Sequence, residues 1–195
     1  MRPLKIVIAD NESIIRMDLR EILEGAGHEV VGAAIDGKRA VELTRKYRPD
    51  LVIMDIKMPV MDGITAAKAI ADEELAPVLL LTAFSQQDIV DAAKDSGVLA
   101  YLVKPISEAS LFPAMEIALS RWDEIKKLEG ELMEARDSLA ARKTLDRAKG
   151  VLMTAYGITE SEAYRRMQRY SMVKRRSIKE IAEAIVRSGL KKREG

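Results

Sequence analysis

The stretch of sequence that decides the fold is LVIMDIKMP, at residues 51–59. Its first four residues are apolar and no polar residue alternates with them, which predicts a strand buried on both faces, as in a parallel sheet. Asp55 follows directly, and open parallel sheets bind their ligands beyond the carboxyl ends of their strands. The stretch therefore predicts an α/β fold and makes Asp55 a candidate chemical site.

Apolar runs of this kind occur five times in the first half of the chain, and segments with helical periodicity separate them. The runs cover residues 4–9, 29–34, 51–54, 78–81 and 99–103. Repeated βα units predict a doubly wound parallel sheet with right-handed crossovers and helices on both faces. Four polar residues fall at or just after strand ends, so this topology would bring them to one edge of the sheet: Asp10, Asp55, Thr82 and Lys104.

Composition excludes several classes of function for this 195-residue chain. Without cysteine there are no disulfides or thiolate metal sites, and the single histidine, His28, gives no zinc-binding cluster and little scope for a Ser-His triad. No apolar run approaches the roughly eighteen residues of a membrane span, and the first residues lack a signal-peptide pattern. We therefore expect a cytoplasmic protein without a membrane partner, with His28 on its surface.

The charge is distributed unevenly along the chain. Residues 1–120 carry 13 Lys and Arg against 19 Asp and Glu, residues 121–138 carry 4 against 6, and residues 139–195 carry 15 against 6. An acidic body with a basic end predicts two modules with different partners. The partner of the basic second module is expected to be a polyanion. We expect one domain at 1–120, a helical linker at 121–138 and a second domain at 139–195.

Residues from about 107 to 155 contain no proline beyond Pro113 and only two glycines, which predicts one long helix or two nearly continuous ones. Apolar residues repeat within it every seven positions, as in a coiled coil. The a and d positions are Ala118, Ile125, Leu128, Leu132, Ala135 and Leu139. The pattern fits a homodimer through residues 118–142, and it also fits packing of the stripe on its own domain.

Two capping boxes, Thr159 to Glu162 and Ser177 to Glu180, each open an amphipathic segment in the last third of the chain. Gly157 before the first box is typical of a helix end. The tail should therefore be a small all-α unit of three helices. Its predicted apolar faces are Ala163, Tyr164, Met167 and Met172 in one helix, and Ile181, Ala182, Ile185 and Val186 in the next.

The four strand-end residues suit phosphoryl chemistry. Asp55 can act as a nucleophile on phosphorus if a cation offsets the charge, and Mg²⁺ prefers carboxylate and phosphate oxygens, with Asp10 as the second carboxylate. Lys104 can contact phosphoryl oxygens and Thr82 can donate a hydroxyl hydrogen bond. Pro105 would fix the loop, a cis peptide being one way to do so. Taken singly, these residues also fit a helix cap, a solvated lysine and a turn.

Five separated motifs resemble those of the receiver domain of bacterial two-component response regulators. They are IADNE at 8–12, MDIKMP at 54–59, MDG at 61–63, LTA at 81–83 and YLVKP at 101–105. The resemblance covers residues 3–120 and implies a flavodoxin-like (βα)5 sheet. It also implies a sensor histidine kinase as phosphodonor and a switch that catalyses only its own phosphorylation and dephosphorylation, so that the chain is not a metabolic enzyme.

The resemblance assigns roles to individual residues. Asp55 is the implied phosphoacceptor, Thr82 and Tyr101 the switch pair and Lys104 the phosphate-sensing lysine. The implied ligands of Mg²⁺ are Asp10, Asn11, Asp55 and the backbone carbonyl of Lys57.

Asn11 departs from the receiver pattern, because receivers usually carry a second acidic residue there. Asparagine offers a carbonyl oxygen without the charge, and the sequence leaves open whether Glu12 compensates. We expect weaker Mg²⁺ binding and slower phosphoryl transfer than in a standard receiver, with phosphorylation-independent behaviour as the alternative.

Residues 135–188 resemble the ANTAR domain, a three-helix RNA-binding module of transcription antitermination regulators. The run AKGVLM at 148–153 is the most specific part of the match. The resemblance implies RNA hairpins as partners and places Arg142, Lys149 and Gly150 in the RNA-contacting surface.

Charge independently favours a polyanionic partner. Six cations within twelve residues can contact several phosphates, although a charge run is also typical of a solvated helix face: Arg165, Arg166, Arg169, Lys174, Arg175 and Arg176. Tyr170 is the best candidate for stacking on an unpaired base, whereas Tyr164 is expected in the core. The leading prediction is an RNA-binding antiterminator controlled at Asp55. The alternatives are a DNA-binding or a protein-docking response regulator.

Overall fold

The structure is a computed structural model that describes residues 2–83 and 99–191, with side chains up to Gly189. The chain divides into two compact units, Met1–Lys126 and Lys127–Gly195, and each is described separately below.

The first unit contains the predicted doubly wound parallel sheet. Its strands are β1 (Lys5–Ala9), β2 (Glu29–Ala34), β3 (Leu51–Asp55), β4 (Val78–Thr82) and β5 (Ala100–Val103). They pair in the order β2-β1-β3-β4-β5, and every pair is parallel. The helices between them are α1 (Ser13–Gly25), α2 (Gly37–Tyr47) and α3 (Gly63–Asp72). The alternation predicted from the apolar runs is confirmed from β1 to β4, and residues 84–98, between β4 and β5, lie outside the described residues.

Two hydrophobic clusters fill the two faces of this sheet, and the strands contribute alternate residues to each. In β3, Leu51 and Ile53 face the cluster that α1 covers, whereas Val52 and Met54 face the cluster that α2 and α3 cover. All four side chains are fully buried. Since burial of such a side chain contributes about 1.5–3 kcal/mol, this strand is a strong determinant of the fold, and its end is held rigidly.

Gly63 allows α3 to begin directly against the end of β3. A Cβ atom at this position would lie 2.1 Å from the carbonyl oxygen of Asp55, so no larger residue fits without backbone movement. The Gly63 N–H donates to the carbonyl of Ile56 at 2.8 Å. Asp62 caps the helix by accepting from the backbone N–H of Thr65 at 2.7 Å. The MDG motif thus fixes the loop that follows Asp55.

A single helix, α4 (Glu108–Tyr156), begins in the first unit and ends in the second. It ends at the predicted glycine, since Gly157 has φ +62° and its N–H donates to the carbonyl of Met153 at 2.9 Å. Two further helices follow, α5 (Glu160–Lys174) and α6 (Ile178–Lys191). Both begin at the predicted caps: Thr159 Oγ1 accepts from the Glu162 N–H, and Ser177 and Glu180 bond reciprocally. No described helix has the length and apolar character that crossing a lipid bilayer requires.

The core of the second unit is narrower than its sequence predicts. Ala163 and Met167, one helical turn apart, are buried with Ile181 and Ala182, and Ile185 and Val186 pack against them. The prediction was wrong for Tyr164 and for Met172, which is 72% exposed. Tyr164 lies about 80° around the helix from the Ala163–Met167 line, beside the core, and Met172 lies about 160° from it, on the opposite face.

The heptad stripe of α4 is buried only at its start. Ala118 belongs to the core of the first unit, whereas Ile125, Leu128, Leu132 and Leu139 are exposed. Packing of the stripe on its own domain therefore accounts for Ala118 alone.

His28 is buried, so its predicted surface position was wrong. It is 6% exposed, and its Nδ1 accepts a hydrogen bond from the Leu4 N–H at 3.3 Å. Its ring also packs against Phe112, with 6.2 Å between ring centroids. Burial lowers the pKa of the imidazole, which serves as a neutral acceptor for the backbone N–H of Leu4, just before β1.

Candidate functional site

The structure brings the four strand-end residues of the first unit together. Lys104 Nζ lies 2.7 Å from Asp10 Oδ2 and 2.9 Å from Asp55 Oδ1, so one ammonium bridges two carboxylates. Asp10 and Asp55 are 0% and 6% exposed, and Thr82 is buried beside them. Parallel pairing places β1, β3, β4 and β5 with their carboxyl ends at this edge, as the sequence predicts.

Local backbone contacts hold each group in place. The second oxygen of Asp10 accepts from the Glu12 N–H, and that of Asp55 accepts from the Lys57 N–H, both at 2.9 Å. The Lys104 N–H donates to the carbonyl of Thr82 at 2.8 Å, and the Lys104–Pro105 peptide is cis. Each carboxylate is therefore oriented by a backbone N–H two residues further along the chain, without the need for a ligand.

The electrostatics of this cluster are dominated by the unequal number of charges. Burial alone would lower the pKa of Lys104, but hydrogen bonds to Asp10 and Asp55 outweigh it, so that the pKa is raised. The lysine stays charged, and two buried carboxylates against one ammonium leave one negative charge uncompensated. Such a site attracts a cation. It can hold a negatively charged phosphoryl group only if a bound cation balances the added negative charge.

A cavity of about 220 Å³ opens over the cluster. It is lined by Asn11, Glu12, Asp55, Ile56, Lys57, Thr82, Ala83 and Lys104. Tyr101 is not among the lining residues, because its side chain is 47% exposed on the outer strand β5. The structure thus assembles the predicted acceptor, lysine and threonine, and keeps the predicted switch tyrosine outside.

The oxygen atoms around the cavity are of the type that Mg²⁺ prefers, but few of them carry a negative charge. Carboxylates, an amide oxygen and the Lys57 carbonyl are the hard oxygen ligands that Mg²⁺ prefers. Within residues 2–83 and 99–191, however, no three His, Cys, Asp or Glu side chains are grouped so that they could hold a metal ion. Asn11 occupies a lining position of the cavity and contributes no charge there.

Arg16 is a site residue that the sequence pattern does not reveal. Its Nη1 donates to the backbone carbonyl of Asp10 at 2.6 Å, which fixes the turn between β1 and α1. The contact depends on how α1 packs over the strand end, and arginine spacing alone does not predict that.

A second cluster of predicted residues lies in the second unit. Arg142, Lys149 and Gly150 line a concavity of about 560 Å³ together with Leu145, Asp146, Met153 and Glu160. Lys149 Nζ lies 2.7 Å from Asp146 Oδ1 and 2.6 Å from Glu160 Oε1. These hydrogen bonds raise the pKa of Lys149. The predicted RNA-contacting lysine is thus held between two carboxylates, one of them on the following helix.

The other predicted cations are exposed on α5. Arg165, Arg166 and Arg169 all reach the surface; Arg166 pairs with Glu162 at 2.9 Å. Arg166 and Tyr170 border an apolar groove of about 580 Å³, whose other lining residues include Leu152, Tyr156, Met167, Ile181 and Ile185. Arg166 lies over the Tyr156 ring at 5.8 Å, and Lys174 over the Tyr170 ring at 5.7 Å. The structure therefore separates the predicted RNA-binding residues into two places.

Comparison with family models identifies both units. A model described as a response regulator receiver domain matches residues 6–116, and an ANTAR domain model matches residues 133–186. Neither is a family of enzymes.

Individual relatives agree with these matches. The transcriptional regulatory protein PdtaR of Mycobacterium tuberculosis is 50% identical over 184 residues, which cover 94% of this chain and 90% of that protein. Among solved structures, the chemotaxis response regulator CheY4 of Vibrio cholerae is 32% identical with a TM-score of 0.55, covering 60% of this chain and 99% of that one. CheY of Borrelia burgdorferi, in a CheX-CheY-BeF3-Mg²⁺ complex, is 26% identical with a TM-score of 0.54, covering 62% and 90%.

Proposed function

We propose that this chain, which belongs to the response regulators that join a receiver domain to an ANTAR domain, is phosphorylated on Asp55 and thereby controls an RNA-binding unit in transcription antitermination. The observation that carries the proposal is the buried cluster in which Lys104 bridges Asp55 and Asp10 beneath an open cavity. The proposed domains are a receiver at 1–120, a helical linker at 121–138 and the ANTAR domain at 139–195. Such a regulator would meet its transcripts in the cytoplasm.

The geometry of the Asp55 carboxylate supports phosphoryl transfer to it. One oxygen attacks the phosphorus of a phosphohistidine on a sensor histidine kinase, or of a small acyl phosphate. The new O–P bond forms as the bond to the donor breaks. Lys104, already hydrogen-bonded to Asp55, can move with that oxygen and contact the phosphoryl group, while the Lys57 N–H holds the other carboxylate oxygen. Thr82 also lines the cavity and would supply a hydroxyl to the phosphoryl group.

Mg²⁺ is the proposed cofactor, held by Asp10, Asn11, Asp55 and the backbone carbonyl of Lys57. When bound, it would supply the positive charge that offsets the phosphoryl oxygens. The Borrelia relative, solved with Mg²⁺ and BeF3, supports this choice of ion. Because Asn11 contributes no charge, we propose weaker Mg²⁺ binding and slower transfer than in receivers with two acidic residues there.

The switch is proposed to run through Thr82 and Tyr101. Thr82 is buried at the cavity wall, whereas Tyr101 is half exposed on β5. Movement of the Thr82 hydroxyl toward a phosphoryl group would leave space into which Tyr101 can turn, and this would change the surface of the outer strand.

The output is proposed to be a homodimer that binds RNA hairpins. The exposed stripe of Ile125, Leu128, Leu132 and Leu139 supports a coiled coil between two copies through residues 118–142. The arginines on α5 support contact with phosphates, with Arg142, Lys149, Gly150 and Tyr170 as further RNA-binding residues.

Two measurements on the full chain test the proposal. Intact-mass analysis after incubation with acetyl phosphate and Mg²⁺ should show one added phosphoryl group on the wild type and on Asp18→Ala, an exposed carboxylate of α1, but none on Asp55→Ala. Gel shifts should show tighter binding to RNA stem-loops than to duplex DNA of the same sequence. Equal binding to DNA would favour a DNA-binding regulator, and no binding to either would favour a protein-docking one.

A further inference from the structure

The concavity around Lys149 is balanced in charge, unlike the arginine face of α5. Arg142 and Lys149 contribute two positive charges, and Asp146 and Glu160 contribute two negative ones. A surface that binds nucleic acid through its phosphates carries an excess of positive charge, because binding depends on displacing counterions. This concavity has no such excess, so its chemistry suits a different part of a nucleic acid.

The concavity presents donors and acceptors side by side. Lys149 Nζ carries three N–H donors, of which two are directed to Asp146 at 2.7 Å and Glu160 at 2.6 Å. Each carboxylate has about four lone-pair sites, so the contact with Lys149 leaves acceptor capacity on both. A phosphate offers acceptors only, and the two carboxylates would repel it. The edge of a nucleobase offers N–H donors next to carbonyl or ring-nitrogen acceptors, which matches this arrangement.

We infer that Arg142, Asp146, Lys149 and Glu160 form a pocket that reads the edge of an unpaired base, with Asp146 and Glu160 as specificity-determining acceptors. The inference rests on the proposed RNA-binding function and names a subsite within it. Guanine matches best, because N1–H and N2–H lie side by side for one carboxylate while O6 accepts from the ammonium. Gly150 keeps one wall open, since a Cβ there would meet nothing within 4 Å.

This subsite and the arginines of α5 make different contributions to RNA binding. Arg165 and Arg169 are exposed and contact phosphates, so they set the steepness with which affinity falls as salt rises. The pocket sets which loop is bound and adds little to the salt dependence. The two groups therefore have separable signatures in a titration.

The test uses the full chain and a library of RNA stem-loops with randomised loops, from which the tightest-binding loop is selected. Glu160→Gln removes one negative charge and weakens an acceptor, and Glu162→Gln removes the same charge two residues away, from a carboxylate that pairs with Arg166. We expect Glu160→Gln to weaken binding of the selected loop about tenfold, while Glu162→Gln leaves it unchanged or tighter. Asp146→Asn should act like Glu160→Gln, and equal thermal melting of all variants excludes unfolding.

The opposite sign overturns the inference. If Lys149 binds a phosphate, removing either neighbouring carboxylate frees its charge, and Glu160→Gln binds RNA more tightly, as Glu162→Gln does. That result would leave the proposed RNA-binding function standing. If the wild type prefers no stem-loop over duplex DNA, the proposed function fails and the inference fails with it. Inosine, which lacks the N2 amine, gives the matching ligand change: at the guanine position it should weaken the wild type and leave Glu160→Gln unaffected.

Discussion

Lys104→Met isolates the electrostatic problem at the strand edge. The substitution keeps much of the side-chain volume but removes the ammonium between Asp10 and Asp55. The two lysine contacts, 2.7 and 2.9 Å, limit the separation of Asp10 Oδ2 and Asp55 Oδ1 to at most about 5.6 Å. At an effective dielectric constant of about 20, two unit charges at that distance repel by about 3 kcal/mol. We expect the receiver unit to lose about that much free energy of unfolding at pH 8.

The assay is urea denaturation followed by the fluorescence of Trp122, which packs against the core of the first unit. Asp10→Asn in the same chain should restore most of the loss at pH 8. Lys68→Met, at an exposed position on α3, serves as the matched control and should change stability by less than about 0.5 kcal/mol. A Lys104→Met variant as stable as this control at pH 8 would refute the reasoning.

Three further changes have expected outcomes. Asn11→Asp should lower the Mg²⁺ concentration that half-saturates phosphorylation about tenfold, equivalent to about 1.4 kcal/mol, and an unchanged Mg²⁺ dependence would contradict the role given to Asn11. Because burial lowers the pKa of His28, the stability that its neutral form contributes is complete above pH 6.5 and is lost as the pH falls through the folded-state pKa. Denaturation midpoints at pH 8 and 5 should therefore differ more for the wild type than for His28→Gln, and equal differences would count against a buried acceptor. Gly63→Ala should cost about 1–3 kcal/mol by forcing a Cβ onto the Asp55 carbonyl, whereas Gly130→Ala, with open space and a helical backbone, should stabilise by about 0.5–1 kcal/mol; scanning calorimetry compares the two.

The parts of the structure that follow a local repeat could be predicted from sequence. β3 is recognisable because four apolar residues in a row must be covered on both faces, and parallel pairing then brings Asp55, Asp10 and Lys104 to one edge. The caps at Thr159 and Ser177 are similarly local, since each hydrogen bond spans three residues.

Contacts between distant residues could not be predicted in this way. His28 is buried through contacts with the Leu4 N–H and the Phe112 ring, which are distant in the sequence. No periodic pattern of residues predicts these contacts. The Lys149–Asp146 pair is visible as an i, i+3 spacing on one helix, but the Lys149–Glu160 pair crosses the turn at Gly157 and depends on how α5 returns beside α4. The predicted burial of Tyr164 and Met172 was wrong for a related reason. A three-helix unit buries a narrower stripe of each helix than the apolar pattern of the sequence suggests.

The central claim is that a phosphoryl group on Asp55 changes the affinity of the second unit for RNA. The most direct measurement is a titration of a labelled stem-loop with the full chain, with and without acetyl phosphate and Mg²⁺, in parallel with Asp55→Ala. The account predicts that the phosphorylated wild type binds the stem-loop at least about fivefold more tightly than the unmodified protein does. That ratio corresponds to a coupling free energy of about 1 kcal/mol or more. Asp55→Ala should show one affinity under both conditions. Equal affinity of the phosphorylated and unmodified wild type, with the added phosphoryl group verified by mass, would contradict the account.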